Sequence, residues 1–223
     1  MSSYYTEKLS AERLKLCYDL APPAVQRYLA AEIEYVRRRI GAGSRVLELG
    51  CGYGRALREL APCGGFFVGI DTSPDSLRMA KSYLAGAANV ELAATDAVRL
   101  ALPRESFDLV FCIQNGVSAF HVDPRALFES AVGVTRRGGK VLFSSYAAEF
   151  WGDRLSWFRI QAAHGLVGEL DERATRNGVI VCRDGFTATT VSPAALRALA
   201  RGLGADVAVE TVGGSSVFCE ITV

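Results

Sequence analysis

Six positions in the first hundred residues have the types and spacing to hold a polar, nucleotide-like ligand: glycines at 50, 52 and 54 and the acids Glu48, Asp71 and Asp96. The glycines alternate in "RVLELGCGYGRAL", directly after an aliphatic run. A strand, a glycine-rich turn and a helix in that order bring backbone N–H groups and the positive helix end beside whatever occupies the turn. The missing side chains at Gly50, Gly52 and Gly54 let a ligand approach the main chain.

The spacing argues against two common nucleotide loops. A dinucleotide fingerprint starting at Gly50 requires Gly or Ala at position 55, where Arg55 stands, and no Gly-Lys-Ser/Thr follows to make a Walker loop. Asp71, 21 residues after Gly50, sits where a carboxylate can accept from both hydroxyls of a ribose. Asp96, in "AATDAVRL", is placed to accept from an adenine amino group. Glu48 beside the loop would repel phosphates but suits an ammonium group. A ligand with adenine, ribose and a zwitterionic tail is therefore expected.

Positioning these residues takes an alternating α/β chain. Apolar periodicity predicts a helix from 6 to about 20 and a second from Pro23 to Gly41. Strands follow at 45–50, 66–71, 89–93, 107–113 and 139–145, with helices at 54–61, 74–84 and 124–135 between them. Such alternation implies a parallel sheet covered by helices on both faces. Ser73-Pro74, Asp123-Pro124 and Ser192-Pro193 mark helix starts, pairing an N-cap with a first-turn proline. Residues 147–177 are less regular, and Asp184-Gly185 beyond them signals a hairpin. A helix over 193–203 leads into "DVAVETV" and "SSVFCEITV", two strands expected to pair antiparallel through Gly213-Gly214. The expectation is one domain over 1–223, with N-terminal helices in 1–40 and an insertion at 147–192 that forms an acceptor pocket or lid.

Composition narrows the partners. Half of the 223 residues are hydrophobic, enough for a sizeable core, and the formal charge is +1, so no global field favours nucleic acid or an anionic membrane. No apolar run reaches the length of a membrane span and the polar start is not a signal peptide, so a soluble protein is expected. The six cysteines show no CxxC spacing and point to a reduced, cytoplasmic setting. No metal site is expected, although Cys17, Cys182 and Cys219 would supply soft ligands to a thiophilic acceptor if the fold brought them together.

In order and spacing, "VLELGCGYG", "VGIDTSPDSL", "ATDAVRLALPRESFDLVFCI" and "RRGGKVLFSSY" resemble the class I S-adenosylmethionine-dependent methyltransferases, over about residues 41–146. The resemblance implies a three-layer Rossmann-like α/β sandwich whose seven-stranded, mostly parallel sheet has an antiparallel last strand. It implies S-adenosyl-L-methionine as cofactor, with Gly50, Gly52 and Gly54 lining the methionyl tail and Asp71 holding the ribose. It also places Asp96 and Ala97 at the adenine, and Gln114 and Asn115 beside the sulfonium. Arg137 stands where the family usually has a proline before the paired glycines, a change in a turn that leaves the cofactor assignment intact.

Methyl transfer from a sulfonium needs positioning above all, and a base only if the acceptor starts protonated. "CIQNGVSAFHVD", after the fourth strand, lacks the Asn-Pro-Pro-Tyr type of motif used on exocyclic amines, which argues against DNA. The expected acceptor is a small molecule methylated at N, O or S, with neither nucleic acid nor membrane as partner and a homodimer left open. His121 is the candidate base, the alternative being a helix-entry histidine near Asp123. Tyr5, with Tyr4, is a candidate aromatic lid, since aromatic faces attract a sulfonium cation; an ordinary frayed terminus is the alternative. Trp151, Trp157 and Phe158 either wall the acceptor pocket or pack the insertion on the sheet. Asp108 is read as structural. Rival readings are a non-catalytic binder of the same cofactor or partner subunit, a methyltransferase acting on protein or RNA, and a nicotinamide-dependent oxidoreductase. Arg55 disfavours the last.

Overall fold

The computed structural model describes residues 4–223. After helices α1 (Tyr4–Lys8), α2 (Ala11–Asp19) and α3 (Pro23–Arg37), the chain alternates β1 (Arg45–Leu49), α4 (Arg55–Leu60), β2 (Phe66–Asp71), α5 (Pro74–Tyr83), β3 (Val90–Ala94) and β4 (Phe107–Cys112). It continues through α6 (Gly116–Ala119), α7 (Pro124–Val134), β5 (Thr135–Tyr146), α8 (Trp151–Ala163), β6 (Val179–Val181) and β7 (Thr187–Thr189). It closes with α9 (Pro193–Ala200), β8 (Asp206–Val212) and β9 (Ser216–Thr222).

Seven strands form one sheet in the order β3-β2-β1-β4-β5-β9-β8. Pairings from β3 to β5 are parallel; β9 runs antiparallel between β5 and β8. The last strand is thus the reversed one, as expected. Because side chains alternate across a strand, Leu47 and Leu49 of β1 join one core with Leu127, Phe128 and Leu196 beneath α7 and α9. Val46 faces the other core, with Ile33, Val36, Leu57 and Leu60 of α3 and α4. The chain leaves β1 toward β2 on one side and resumes at β4 on the other, which opens a crevice at the carboxyl ends of β1 and β4.

The local helix signals are realised as hydrogen bonds. Ser73 Oγ accepts from the Ser76 N–H, Asp123 Oδ1 from Arg125 and Ser192 Oγ from Ala195. Asp184-Gly185 closes the β6–β7 hairpin, with the Gly185 N–H donating to the Cys182 carbonyl at 3.1 Å. Asp108 accepts from the Arg45 N–H and pairs with Arg136, a structural role at the start of the sheet.

Two expectations on the elements are corrected. The single helix over 6–20 is two, because the Ala11 N–H leaves the helical ladder to donate to Ser76 Oγ at 3.1 Å and Ala11 takes φ +49°. The irregular stretch after residue 147 contains the thirteen-residue helix α8, whose inward face mixes Trp157 and Phe158 with buried Arg154 and Gln161. That mixture blurs the apolar period from which a helix is read. The N-terminal helices pack on this segment: Leu9 and Cys17 share a buried cluster with Phe158, Leu166, Ile180 and Phe186. No helix among the described residues is long and apolar enough to cross a membrane.

Candidate functional site

The crevice holds a cavity of about 370 Å³. Its floor is the turn from β1 into α4. The Cys51 N–H donates to the Ile70 carbonyl at 2.8 Å and the Gly52 N–H to Asp71 Oδ2 at 2.9 Å, so the turn is anchored to the end of β2. The other Asp71 oxygen accepts from the Ser73 N–H at 2.8 Å. With the Thr72 N–H also on this carboxylate, at least one of its roughly four lone-pair sites is left for a further bond. Burial pushes the Asp71 carboxyl up, and the backbone N–H groups of Ser73, Gly52 and Thr72 oppose that rise.

Gly50 has φ +73°, and a Cβ there would stand 2.4 Å from the tip of the Phe120 ring, so the bare backbone is required by conformation and by space. Gly50, Gly52, Glu48, Asp71, Asp96 and Ala97 all line the cavity. Asp96 Oδ1 also accepts from the Val98 N–H at 3.0 Å, fixing its own turn. Gly54 is not part of the lining. It adopts φ +85° at the start of α4, and a Cβ would lie 2.7 Å from Leu84 Cδ1, so its bareness serves the packing of α4 on α5.

Glu48 is 6 % exposed and its Oε2 has no hydrogen-bond partner. Burial pushes its carboxyl up to about 8, opposed by Arg55 and aided by Asp71. Arg55, the first residue of α4, also lines the cavity; its guanidinium lies 4.9 Å from the centre of the Tyr18 ring.

At the mouth of β4, Gln114 and Asn115 are successive non-glycine residues in the left-handed region, φ +57° and +63°. Such residues carry strain of about 1–3 kcal/mol each and persist where surrounding bonds fix them. The Gln114 N–H donates to Glu32 Oε2 at 2.7 Å, and the Tyr18 hydroxyl donates to Gln114 Oε1 at 2.8 Å. Gln114 thereby faces the cavity. Asn115 does not: its amide donates to the Thr189 carbonyl at 3.1 Å and its Oδ1 accepts from Ser145 at 2.7 Å, bracing β5 against the hairpin. Glu32 is fully buried, accepts also from the Ser216 hydroxyl at 2.8 Å, and is pushed up to about 7 by burial.

Tyr5 of α1, Leu9 of the link that follows it, and Leu14 and Tyr18 of α2 also wall the cavity. Burial raises the phenols of Tyr5 and Tyr18. Tyr4 turns elsewhere and bonds Asp184. His121 is exposed at φ +52°, while its neighbours Phe120 and Val122 line the cavity, so the candidate base lies outside it. Trp157 is 5 % exposed and donates to the Cys17 carbonyl at 2.9 Å, a packing role. Cys17 and Cys182 share one buried cluster but Cys219 sits in another, beneath the sheet, and among the described residues no three His, Cys, Asp or Glu side chains gather as metal ligands.

Residues overlooked from the sequence are Tyr18, Glu32, Phe120 and the site role of Arg55. Glu32 carried a signal, an acid on the apolar stripe of α3 four residues from both Tyr28 and Val36. Tyr18 had none, since only the packing of α2 against the loop after β4 brings it to Gln114.

The site suits a nucleoside with an amino-acid tail: acids at the ends of β1, β2 and β3, a bare turn between them, and buried polar atoms left without partners. Residues 46–139 match the family model described as "Methyltransferase domain". The chain is 28 % identical over 135 residues to a 2-methyl-6-phytyl-1,4-hydroquinone methyltransferase from Synechocystis, covering 56 % of this chain and 42 % of that protein. It is 32 % identical over 117 residues to a ubiquinone biosynthesis O-methyltransferase from Xanthomonas euvesicatoria, covering 51 % and 48 %. The chain thus spans about half the length of the curated relatives it matches. A crystal structure of a SAM-dependent methyltransferase from Aquifex aeolicus superposes with a TM-score of 0.64 at 17 % identity, over 96 % of this chain and 100 % of the other, and shares the fold. The sheet order and the glycine turn agree with these matches, which show a segment similar to a methyltransferase domain over residues 46–139 and a shared fold around it.

Proposed function

We propose that this chain transfers a methyl group from S-adenosylmethionine to a small-molecule acceptor, and that a phenol oxygen is the favoured target over nitrogen or sulfur, its proton passing to water and S-adenosylhomocysteine leaving. The observation that carries the reading is one continuous cavity in which the acids and the glycine turn are faced directly by Tyr5, Tyr18, Leu14 and Phe120. In this reading Asp71 holds the ribose, Asp96 and Ala97 the adenine, and Gly50, Gly52 and Glu48 the methionyl tail. Gln114, held by the Tyr18 hydroxyl, is the residue assigned to the acceptor. When bound, the cofactor supplies an electrophilic methyl group on a sulfonium.

The protein's own part is to orient the acceptor and exclude water. With their phenols raised by burial, Tyr5 and Tyr18 stay protonated at neutral pH and serve as hydrogen-bonding hydroxyls rather than bases. Flat aromatic walls suit a flat aromatic acceptor. The two relatives named above, one for a hydroquinone and one for O-methylation, support that class. The N-terminal helices and the 147–192 segment work with the sheet as one unit, the helices walling the acceptor and the segment buttressing them. Six unpaired cysteines suit a reducing, cytoplasmic compartment.

The test is incubation with methyl-labelled S-adenosylmethionine and a panel of hydroquinones, catechols, amines and thiols. Label in the organic-soluble fraction with a phenol supports the reading. Label that enters only protein or RNA would replace the acceptor class, and cofactor binding without transfer to any acceptor would make the chain a binder.

A further inference from the structure

Among the described residues six buried side-chain polar atoms lack a hydrogen-bond partner, and three of them belong to two residues of the same cavity: Oε2 of Glu48, and Nε and Nη2 of Arg55. Buried polar groups are rarely left unpaired, and an unpaired group in a cavity marks where a ligand completes the network. Glu48 and Arg55 flank the glycine turn, one near the end of β1 and the other at the start of α4.

The Arg55 side chain is held inward. It is 14 % exposed, its guanidinium stacks near the Tyr18 ring, and only Nη1 reaches a carboxylate, Glu59 Oε1 at 3.4 Å. The two unpartnered nitrogens, Nε and Nη2, are the adjacent pair that forms one edge of the guanidinium plane. That edge presents two parallel N–H groups, the geometry that matches a carboxylate bidentately. Arg154 also has an unpartnered Nε, but it lies outside the cavity lining and its other nitrogens donate to the Gly178 and Ala188 carbonyls and Thr190 Oγ1, which makes it a brace.

We infer that Arg55 is a carboxylate-recognition residue: its Nε/Nη2 edge takes the α-carboxylate of the methionyl tail while Glu48 takes the ammonium, so the pocket selects an intact α-amino acid. The inference rests on the donor assignment made under Proposed function. It adds a specificity, against nucleosides that keep adenine, ribose and sulfur but lack the carboxylate.

Calorimetric titration of the full chain separates the two claims. The probes are S-adenosylhomocysteine, its decarboxylated analogue and 5′-methylthioadenosine, which lacks the whole tail. On the wild-type protein the decarboxylated analogue is expected to bind about 10- to 100-fold more weakly than S-adenosylhomocysteine, the loss of a charge-assisted pair. Equal affinity overturns the inference without any variant that must fold. Arg55→Met should lose S-adenosylhomocysteine affinity by a similar factor and keep methylthioadenosine affinity within about threefold, with Arg55→Lys between, since it keeps the charge and loses the fork. An equal loss of both ligands in Arg55→Met would mean that Arg55 only packs on Tyr18 and would overturn the inference. Failure of the wild type to bind S-adenosylhomocysteine at all would overturn the donor assignment itself.

Discussion

Asp71 and Gly52 are joined by a hydrogen bond, N–H to Oδ2 at 2.9 Å, that ties the end of β2 to the turn leaving β1. The same carboxylate accepts from Ser73 at the start of α5, so one side chain fixes the geometry of both loops that bound the cavity. Asp71→Ala is expected to weaken S-adenosylhomocysteine binding by about tenfold or more through loss of the acceptor and of the turn's anchor. Asp71→Asn keeps one acceptor oxygen and should fall between. Calorimetric affinities of the two variants check the order.

Gly50 and Gly54 have similar positive φ and different surroundings, the cavity for one and Leu84 for the other. Gly54→Ala should therefore destabilise the fold, by about 1–3 kcal/mol from strain and overpacking, with ligand affinity little changed in the folded fraction. Gly50→Ala should displace Phe120 and reduce affinity more than stability. Denaturant melts and titrations on both variants would show the opposite ranking if the two glycines had been misassigned.

Glu32 and Glu48 titrate near 7 and 8 in the folded chain, both raised by burial from an ordinary value of 4.5. The folded state therefore binds more protons than the unfolded state through that interval. The stability this confers is complete below about pH 4.5 and is lost as pH rises through 7 and 8. The melting temperature of the ligand-free protein should fall as pH rises from the ordinary carboxylate value of 4.5 to about 8 and level off above it. Glu32→Gln and Glu48→Gln should each flatten that slope, and thermal melts across the range decide it.

Tyr18 bonds Gln114 with its hydroxyl and walls the cavity with its ring. Tyr18→Phe keeps the wall and frees Gln114. Donor affinity is expected to stay within about twofold, while turnover of an acceptor falls by about three- to tenfold, the worth of one neutral hydrogen bond. Initial rates with the acceptor found by screening measure it.

The sheet was legible because its strands are short apolar runs bounded by Gly, Ser-Pro and Asp-Pro signals, and each of those signals acts within four residues of itself. Glu48, Gly50, Gly52, Asp71 and Asp96 sit at strand ends, so placing the strands placed them in the cavity. Gly54 and Asn115 stand outside the cavity lining because one residue of register decides whether a loop position faces the cavity or the neighbouring helix or hairpin. His121 drew notice by its chemistry, but a left-handed backbone at that position leaves it exposed. Tyr18 and the inward hold on Arg55 depend on the docking of α2 over α4, a contact between distant segments that no local pattern encodes.

The central claim, that the crevice between β1 and β4 binds S-adenosylmethionine, is tested most directly by titrating the wild-type chain with S-adenosylhomocysteine, with NADH as control. The structure predicts one binding site of micromolar or tighter affinity for the first and none for the second. Binding of NADH in preference, or of neither nucleotide, would contradict it.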